Sequence, residues 1–126
     1  MKQTILVVED HERNRKLART VLEFRGYNVV ECDDGTPSLE LARQHRPALV
    51  LMDIQLPVMD GITALRRLRA DPETTHLPVI AVTASVTASE RERVVAAGFN
   101  GYISKPIDVT TFGDTIDAFV AGKTAA

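Results

Sequence analysis

The 126-residue sequence has no tryptophan, only two tyrosines and a single cysteine, Cys32. One cysteine rules out an internal disulfide, so the fold must hold through a packed core. Cys32 lies near the end of a strand-like run with no base beside it, which fits a small structural residue better than a reactive thiol. No apolar run approaches the roughly 18 residues that a membrane-spanning helix needs, so no membrane insertion is expected. Met1-Lys2-Gln3-Thr4 runs straight into strand-like residues, without the pattern of a signal peptide, and a cytoplasmic location is expected. Basic residues are not in surplus. The 15 Lys and Arg face 17 Asp and Glu, for a net charge of −2, which argues against nucleic acid or anionic lipid as a partner. Repeats, low-complexity tracts and linkers are also missing. The expectation is one domain over residues 1–122, with 123–126 as a short flexible tail.

What is present alternates. Short apolar, β-branched runs at Thr4–Val8, Asn28–Cys32, Ala48–Met52, Val79–Val82 and Gly101–Ser104 predict five strands. Helical spacing lies between and after them. Leu17, Ala18, Val21 and Leu22 form a first stripe, stopped by Gly26. Leu39 and Ala42 lie on a second helix, for which Thr36 is the expected N-cap and Pro37 the first helical residue. Ile62, Leu65 and Leu68 mark a third, with Arg66, Arg67 and Arg69 on a solvated face and Asp71-Pro72 as its end. Thr87-x-x-Glu90 fits a capping box for a fourth, which Gly98 ends. Val109, Phe112, Ile116, Phe119 and Val120 give the last helix its apolar face. Strands that alternate with helices imply an α/β fold with an open parallel sheet covered on both faces. The five-strand order 2-1-3-4-5, a flavodoxin-like fold, fits best. It puts the switch point, where ligands bind, between the first and third strands.

Polar residues cluster where those strands end. Glu9 and Asp10 follow the first, Asp53 the third, Thr83 the fourth and Lys105 the fifth. Three carboxylates brought together repel unless one is protonated or a cation sits among them, and oxygen donors select a hard cation such as Mg²⁺. A hydroxyl and an ammonium beside them suit a phosphoryl group. A carboxylate can act as a nucleophile and form an aspartyl-phosphate, and Asp53, from the middle of the acidic set, is the candidate. Any one of these residues could be an ordinary strand-end group, but the set of five is hard to dismiss. On the residues alone Tyr102 reads as core packing. His11 reads as a solvated loop histidine, and His45 and His76 have no partners at metal-site spacing.

The runs Val7-Val8-Glu9-Asp10, Leu51 to Gly61, Val82-Thr83-Ala84 and Tyr102-Ile103-Ser104-Lys105-Pro106 resemble the receiver domain of bacterial two-component response regulators, over essentially the whole chain. The resemblance implies that Asp53 is the phosphoacceptor. It implies that Asp10 ligates Mg²⁺ (or Mn²⁺) directly and Glu9 largely through water, with the Gln55 backbone carbonyl completing the shell. Thr83 and Lys105 would contact the phosphoryl group, and Tyr102 would be the aromatic that rotates inward as Thr83 moves. Lys105-Pro106 would be cis. A histidine kinase or histidine phosphotransfer protein would be the donor. A downstream protein would be the target, met through the fourth helix, fifth strand and fifth helix. The chain would be a signalling protein, with at most self-catalysed phosphorylation and dephosphorylation.

Three rival readings compete with this one. A haloacid-dehalogenase-type phosphatase would carry a second Asp two residues after the nucleophile, where this chain has Gln55. A flavin-binding module would need a phosphate-cradling loop after the first strand, where this chain begins Glu9-Asp10. A receiver excised from a hybrid histidine kinase would read much the same, although Met1 and the short tail favour a complete small protein.

Overall fold

The apolar runs become strands because most of their side chains have a helix to pack against. In the computed structural model, which describes residues 2–84 and 87–122, β1 (Thr4–Val8), β2 (Asn28–Cys32), β3 (Leu49–Asp53), β4 (Val79–Thr83) and β5 (Gly101–Ser104) form one parallel sheet in the order β2-β1-β3-β4-β5. Helices α1 (Glu12–Phe24), α2 (Ser38–His45), α3 (Gly61–Ala70), α4 (Ala88–Ala97) and α5 (Phe112–Val120) follow the strands in turn. Alternate strand residues feed two cores. Ile5, Val7, Leu49, Leu51, Ile80 and Val82 pack against α1 and α5. Leu6, Val8, Val50, Met52, Val79 and Ala81 pack against α2, α3 and α4. Each large side chain so buried contributes on the order of 1.5–3 kcal/mol. The fold class and strand order are those read from the sequence.

Local boundaries differ in ways that have causes. β3 and β4 each run to the candidate site residue itself, because Asp53 pairs with Val82 and Thr83 with Ser104 in the ladder. Thr36 does not cap α2. Its N–H donates to Asp34, and the Gly35 carbonyl accepts from both the N–H and the hydroxyl of Ser38, so the helix starts at Ser38 after Pro37. Val109 lies before α5 and is exposed. Thr87 caps α4, accepting from the Glu90 N–H at 3.3 Å, and Gly26 and Gly98 follow α1 and α4 with φ of 93° and 110°. The tail, 123–126, lies outside the described residues.

The arginines of α3 are not one solvated face. Arg66 is exposed, but Arg69 donates to the carbonyls of Thr75, Leu77 and Gly98 and to Asn100 Oδ1, tying α3 to the loops on either side of β4 and α4. At the end of α3, Asp71 accepts from the Glu73 N–H at 2.8 Å and pairs with Arg43 of α2. The Glu73 backbone bond, with help from Arg43, holds its carboxyl below the usual carboxylate range. A carboxyl whose pKa is depressed by folding stabilises fully above its unfolded value and loses that effect as pH falls through its folded value. Asp71→Asn should therefore lower the thermal midpoint at pH 7. The gap to wild type should shrink as the pH drops past about 4, and a series of melts from pH 7 to pH 3 checks this.

Candidate functional site

The loops at the carboxyl ends of β1, β3, β4 and β5 meet at one place. Glu9, Asp10 and Asp53 each bring a carboxylate oxygen to within 4.8 Å of the others. Lys105, at the end of β5, reaches into the group. Its Nζ lies 2.7 Å from Asp53 Oδ2 and 3.0 Å from Glu9 Oε1. The remaining oxygens of these two acids accept backbone N–H groups: Gln55 donates to Asp53 Oδ1 at 3.0 Å and His11 to Glu9 Oε2 at 3.1 Å. Asp10 Oδ1 is different. It is buried and has no hydrogen-bond partner among the described residues. Asp53 is 2% exposed, Glu9 5% and Thr83 8%.

Two opposed pressures set the electrostatics. Burial is the largest influence on Glu9 and raises its pKa above the usual carboxylate value; the His11 backbone bond and Lys105 work against it. Burial is also the largest single influence on Lys105 and lowers its pKa. The hydrogen bonds and charges of Asp53 and Glu9 together outweigh it, so the ammonium is held above the ordinary lysine value and stays charged.

The strand ends are held in place by the chain around them. Asp60 caps α3, accepting from the Thr63 N–H at 2.8 Å, and the Gly61 N–H donates to the Ile54 carbonyl at 2.9 Å. A Cβ at position 61 would strike the backbone carbonyl of Asp53, so only glycine lets α3 start this close to the end of β3. The Lys105-Pro106 peptide bond is cis. A groove of about 660 Å³ opens beside the acids, lined by Asp10, Gln55, Pro57, Thr83 and Arg93 among others.

Glu9, Asp10, Asp53, Gln55, Thr83 and Lys105 all lie in or beside this centre, and Tyr102 does not. Tyr102 stands on β5 opposite Ala81, two residues before Ser104, the ladder partner of Thr83. It is half-buried on the α4 side, with the Arg91 guanidinium 5.4 Å from its ring centroid. His11 is exposed. Two contributors went unnoticed in the sequence. They are Gly61, which the sequence shows only as the last residue of a motif, and Arg15, whose Nη1 donates to the Glu9 carbonyl at 3.0 Å. A basic residue one turn into the helix after an acidic pair is the signal that would have found the second.

The response regulator receiver domain model matches residues 5–117. This chain belongs to the response regulator receiver family. Among its relatives is the polar-differentiation response regulator DivK of Brucella anthropi, 44% identical over 120 residues that make up 95% of this chain and 98% of that protein. The DivK of Brucella ovis is 43% identical over the same span. In structure, the receiver domain of a sensor histidine kinase from Pseudomonas aeruginosa, solved with a magnesium ion in its active-site cleft, matches with a TM-score of 0.87. It is 33% identical and covers 96% of this chain and 99% of that one. A putative response regulator from Chloroflexus aurantiacus matches with a TM-score of 0.89 at 28% identity, covering 96% and 99%. Family membership makes the chain a phosphoacceptor signalling domain of two-component systems, with histidine kinases as its partners.

The receiver's acidic centre fits a hard dication on its own chemistry. It offers only oxygens, it carries more negative charge than the one ammonium offsets, and one of its buried oxygens lacks a donor. Asp10→Asn removes like-charge repulsion and should raise the melting temperature in chelator by roughly 3 °C, on the order of 1 kcal/mol. The same variant should lose the stabilisation that added Mg²⁺ gives wild type. Paired melts with EDTA and with Mg²⁺ check both effects.

Proposed function

We propose that Asp53 receives a phosphoryl group from a phosphohistidine of a histidine kinase or phosphotransfer protein. The observation that carries this reading is the Lys105 ammonium bridging Asp53 and Glu9 beside the unpartnered oxygen of Asp10. An Asp53 carboxylate oxygen attacks phosphorus in line. The P–O bond forms as the P–N bond to the donor imidazole breaks, and the imidazole keeps the electron pair and takes a proton from solvent. The Gln55 N–H orients Asp53 through Oδ1. Lys105 neutralises charge on the transferred group, and Thr83, at the end of β4, donates its hydroxyl to a phosphoryl oxygen. Glu9, Asp10, Asp53 and the Gln55 backbone carbonyl would hold Mg²⁺, or Mn²⁺ in its place. The bound ion supplies charge neutralisation where phosphoryl and carboxylate oxygens converge.

The output is a change of surface. Movement of Thr83 toward the phosphoryl group frees space on the α4 side of β5, and Tyr102 turns inward to fill it. The face formed by α4, β5 and α5 then changes its affinity for a downstream protein, by as much as that protein distinguishes the two states. On this reading residues 1–122 form the receiver domain and the chain acts by itself, as a single-domain regulator in the cytoplasm. Its only chemistry is self-catalysed phosphorylation and dephosphorylation, and nucleic acid is not a partner. The likeness to a DivK of which the chain covers 98% supports the stand-alone reading over that of a receiver taken from a hybrid kinase. The net charge of −2 supports protein output over nucleic-acid binding.

Intact-mass spectrometry after incubation with acetyl phosphate and Mg²⁺ tests the reading. Wild type should gain one phosphoryl group and Asp53→Asn none, and full labelling of Asp53→Asn would sink it. Tyr102→Ala should label at a rate within about twofold of wild type, yet lose most of the phosphorylation dependence of partner binding in a pull-down with the cognate kinase. Unchanged dependence would remove Tyr102 from the switch.

A further inference from the structure

Arg15 lies outside the acidic centre, yet it touches the chain that carries two of its acids. Its Nη1 donates to the backbone carbonyl of Glu9 at 3.0 Å. The Glu9 N–H is held on the other side, by the Cys32 carbonyl of β2 at 3.1 Å. The Glu9 carbonyl and the Asp10 N–H belong to one rigid peptide plane. A donor fixed on that carbonyl therefore fixes the plane from which the chain enters Asp10, and so restricts where Asp10 Oδ1 can lie. Arg15 is itself braced. Its Nε lies 3.7 Å from Glu31 Oε1 on β2, and that oxygen also accepts from Arg19 at 2.8 Å. The side chain of Arg15 is only 19% exposed, whereas Arg13 and Lys16 beside it are exposed to solvent. Glu31 pairs with Val7 in the β1–β2 ladder, so the brace runs from the edge of the sheet to the loop after β1.

We infer that Arg15, anchored by Glu31, is a positioning residue for the cation site, holding the Glu9–Asp10 peptide in the orientation that presents both acids. The inference rests on the reading of Glu9 and Asp10 as cation ligands proposed above. Its sign separates it from a plain electrostatic effect. Arg15 carries a positive charge near the acids, so on Coulomb grounds alone its removal would tighten cation binding. As a positioning residue its removal weakens binding, and outer-shell partners of metal ligands are worth 10–100-fold in affinity when lost.

The test is a titration of the full chain with Mg²⁺, followed through the amide chemical shifts of Asp10, Asp53 and Gln55. It compares wild type, Arg15→Met, Arg15→Lys and Glu31→Gln, each with a melt in EDTA. Arg15→Met should weaken Mg²⁺ about tenfold. Arg15→Lys, which keeps the charge and one donor, should fall between. Glu31→Gln, which leaves Arg15 charged but loosens its anchor, should weaken binding by less than Arg15→Met. The dissociation constant is read on folded molecules, so a general loss of stability would shift the melts and leave it alone. Should Arg15→Met not fold, Arg15→Lys carries the comparison, with more than a twofold loss required. Binding unchanged within twofold, or tighter, in the folded Arg15 variants overturns the inference and leaves the proposed function standing. Absence of any Mg²⁺-dependent shift in wild type overturns both.

Discussion

The contact on which the site depends is the ammonium of Lys105 lodged between Glu9 and Asp53. A parallel sheet covered on both faces brings its strand ends together in a poorly hydrated place, and here two of those ends carry three acids between them. Two like charges about 4 Å apart cost roughly 4 kcal/mol at an effective dielectric of 20. Lys105 offsets part of that repulsion, but its one charge leaves the acids in excess. The centre is therefore stable enough to fold and still drawn to further positive charge. That standing imbalance is what a phosphoacceptor needs, since it gathers cations before any phosphoryl group arrives.

Much of this could be read in the sequence because it depends on period and order. Runs such as Ala48–Met52 are apolar at every position, which only a strand buried on both faces tolerates. Alternation with helices then leaves few topologies. The strand-end residues followed from that topology, since the carboxyl ends of parallel strands lie on one rim. The failures came where a specific hydrogen bond, local or distant, outweighed a pattern rule. Thr36 has the chemistry of an N-cap, but Asp34 takes its N–H and the Gly35 carbonyl takes Ser38, so the helix begins two residues beyond it. The arginines of α3 looked alike in sequence, yet the folded chain surrounds Arg69 with four acceptors and leaves Arg66 in solvent. Arg15 and Gly61 were missed because their partners are backbone carbonyls, which leave no trace in a pattern of side chains.

The two cores divide the labour. The α1–α5 side ties the first and last helices together, with Arg25 of the α1 C-cap paired to Asp114 and Asp117 and the Tyr27 hydroxyl donating to Asp117 at 2.5 Å. On the opposite side, α4 buries only Val94 among its described residues and shows the weakest apolar face of the helices. The helix nearest Thr83 and Tyr102 is thus the one least committed to the core. Low burial lets an element change position at small cost, and it places the readiness to move next to the residues read as the switch.

Arg69 gives that readiness a direction. By holding the Gly98 carbonyl and Asn100 it pins the carboxyl end of α4 to α3, while the amino end at Thr87 lies toward the acidic rim. A helix of 10 residues is roughly 15 Å long. Held at one end, a helix of that length would pivot about Gly98, and a tilt of about 10° would carry Thr87 through roughly 2–3 Å with the far loop left in place. Any such displacement along the surface of α4 would be graded, largest at the turn beside the acidic rim and vanishing at the guanidinium.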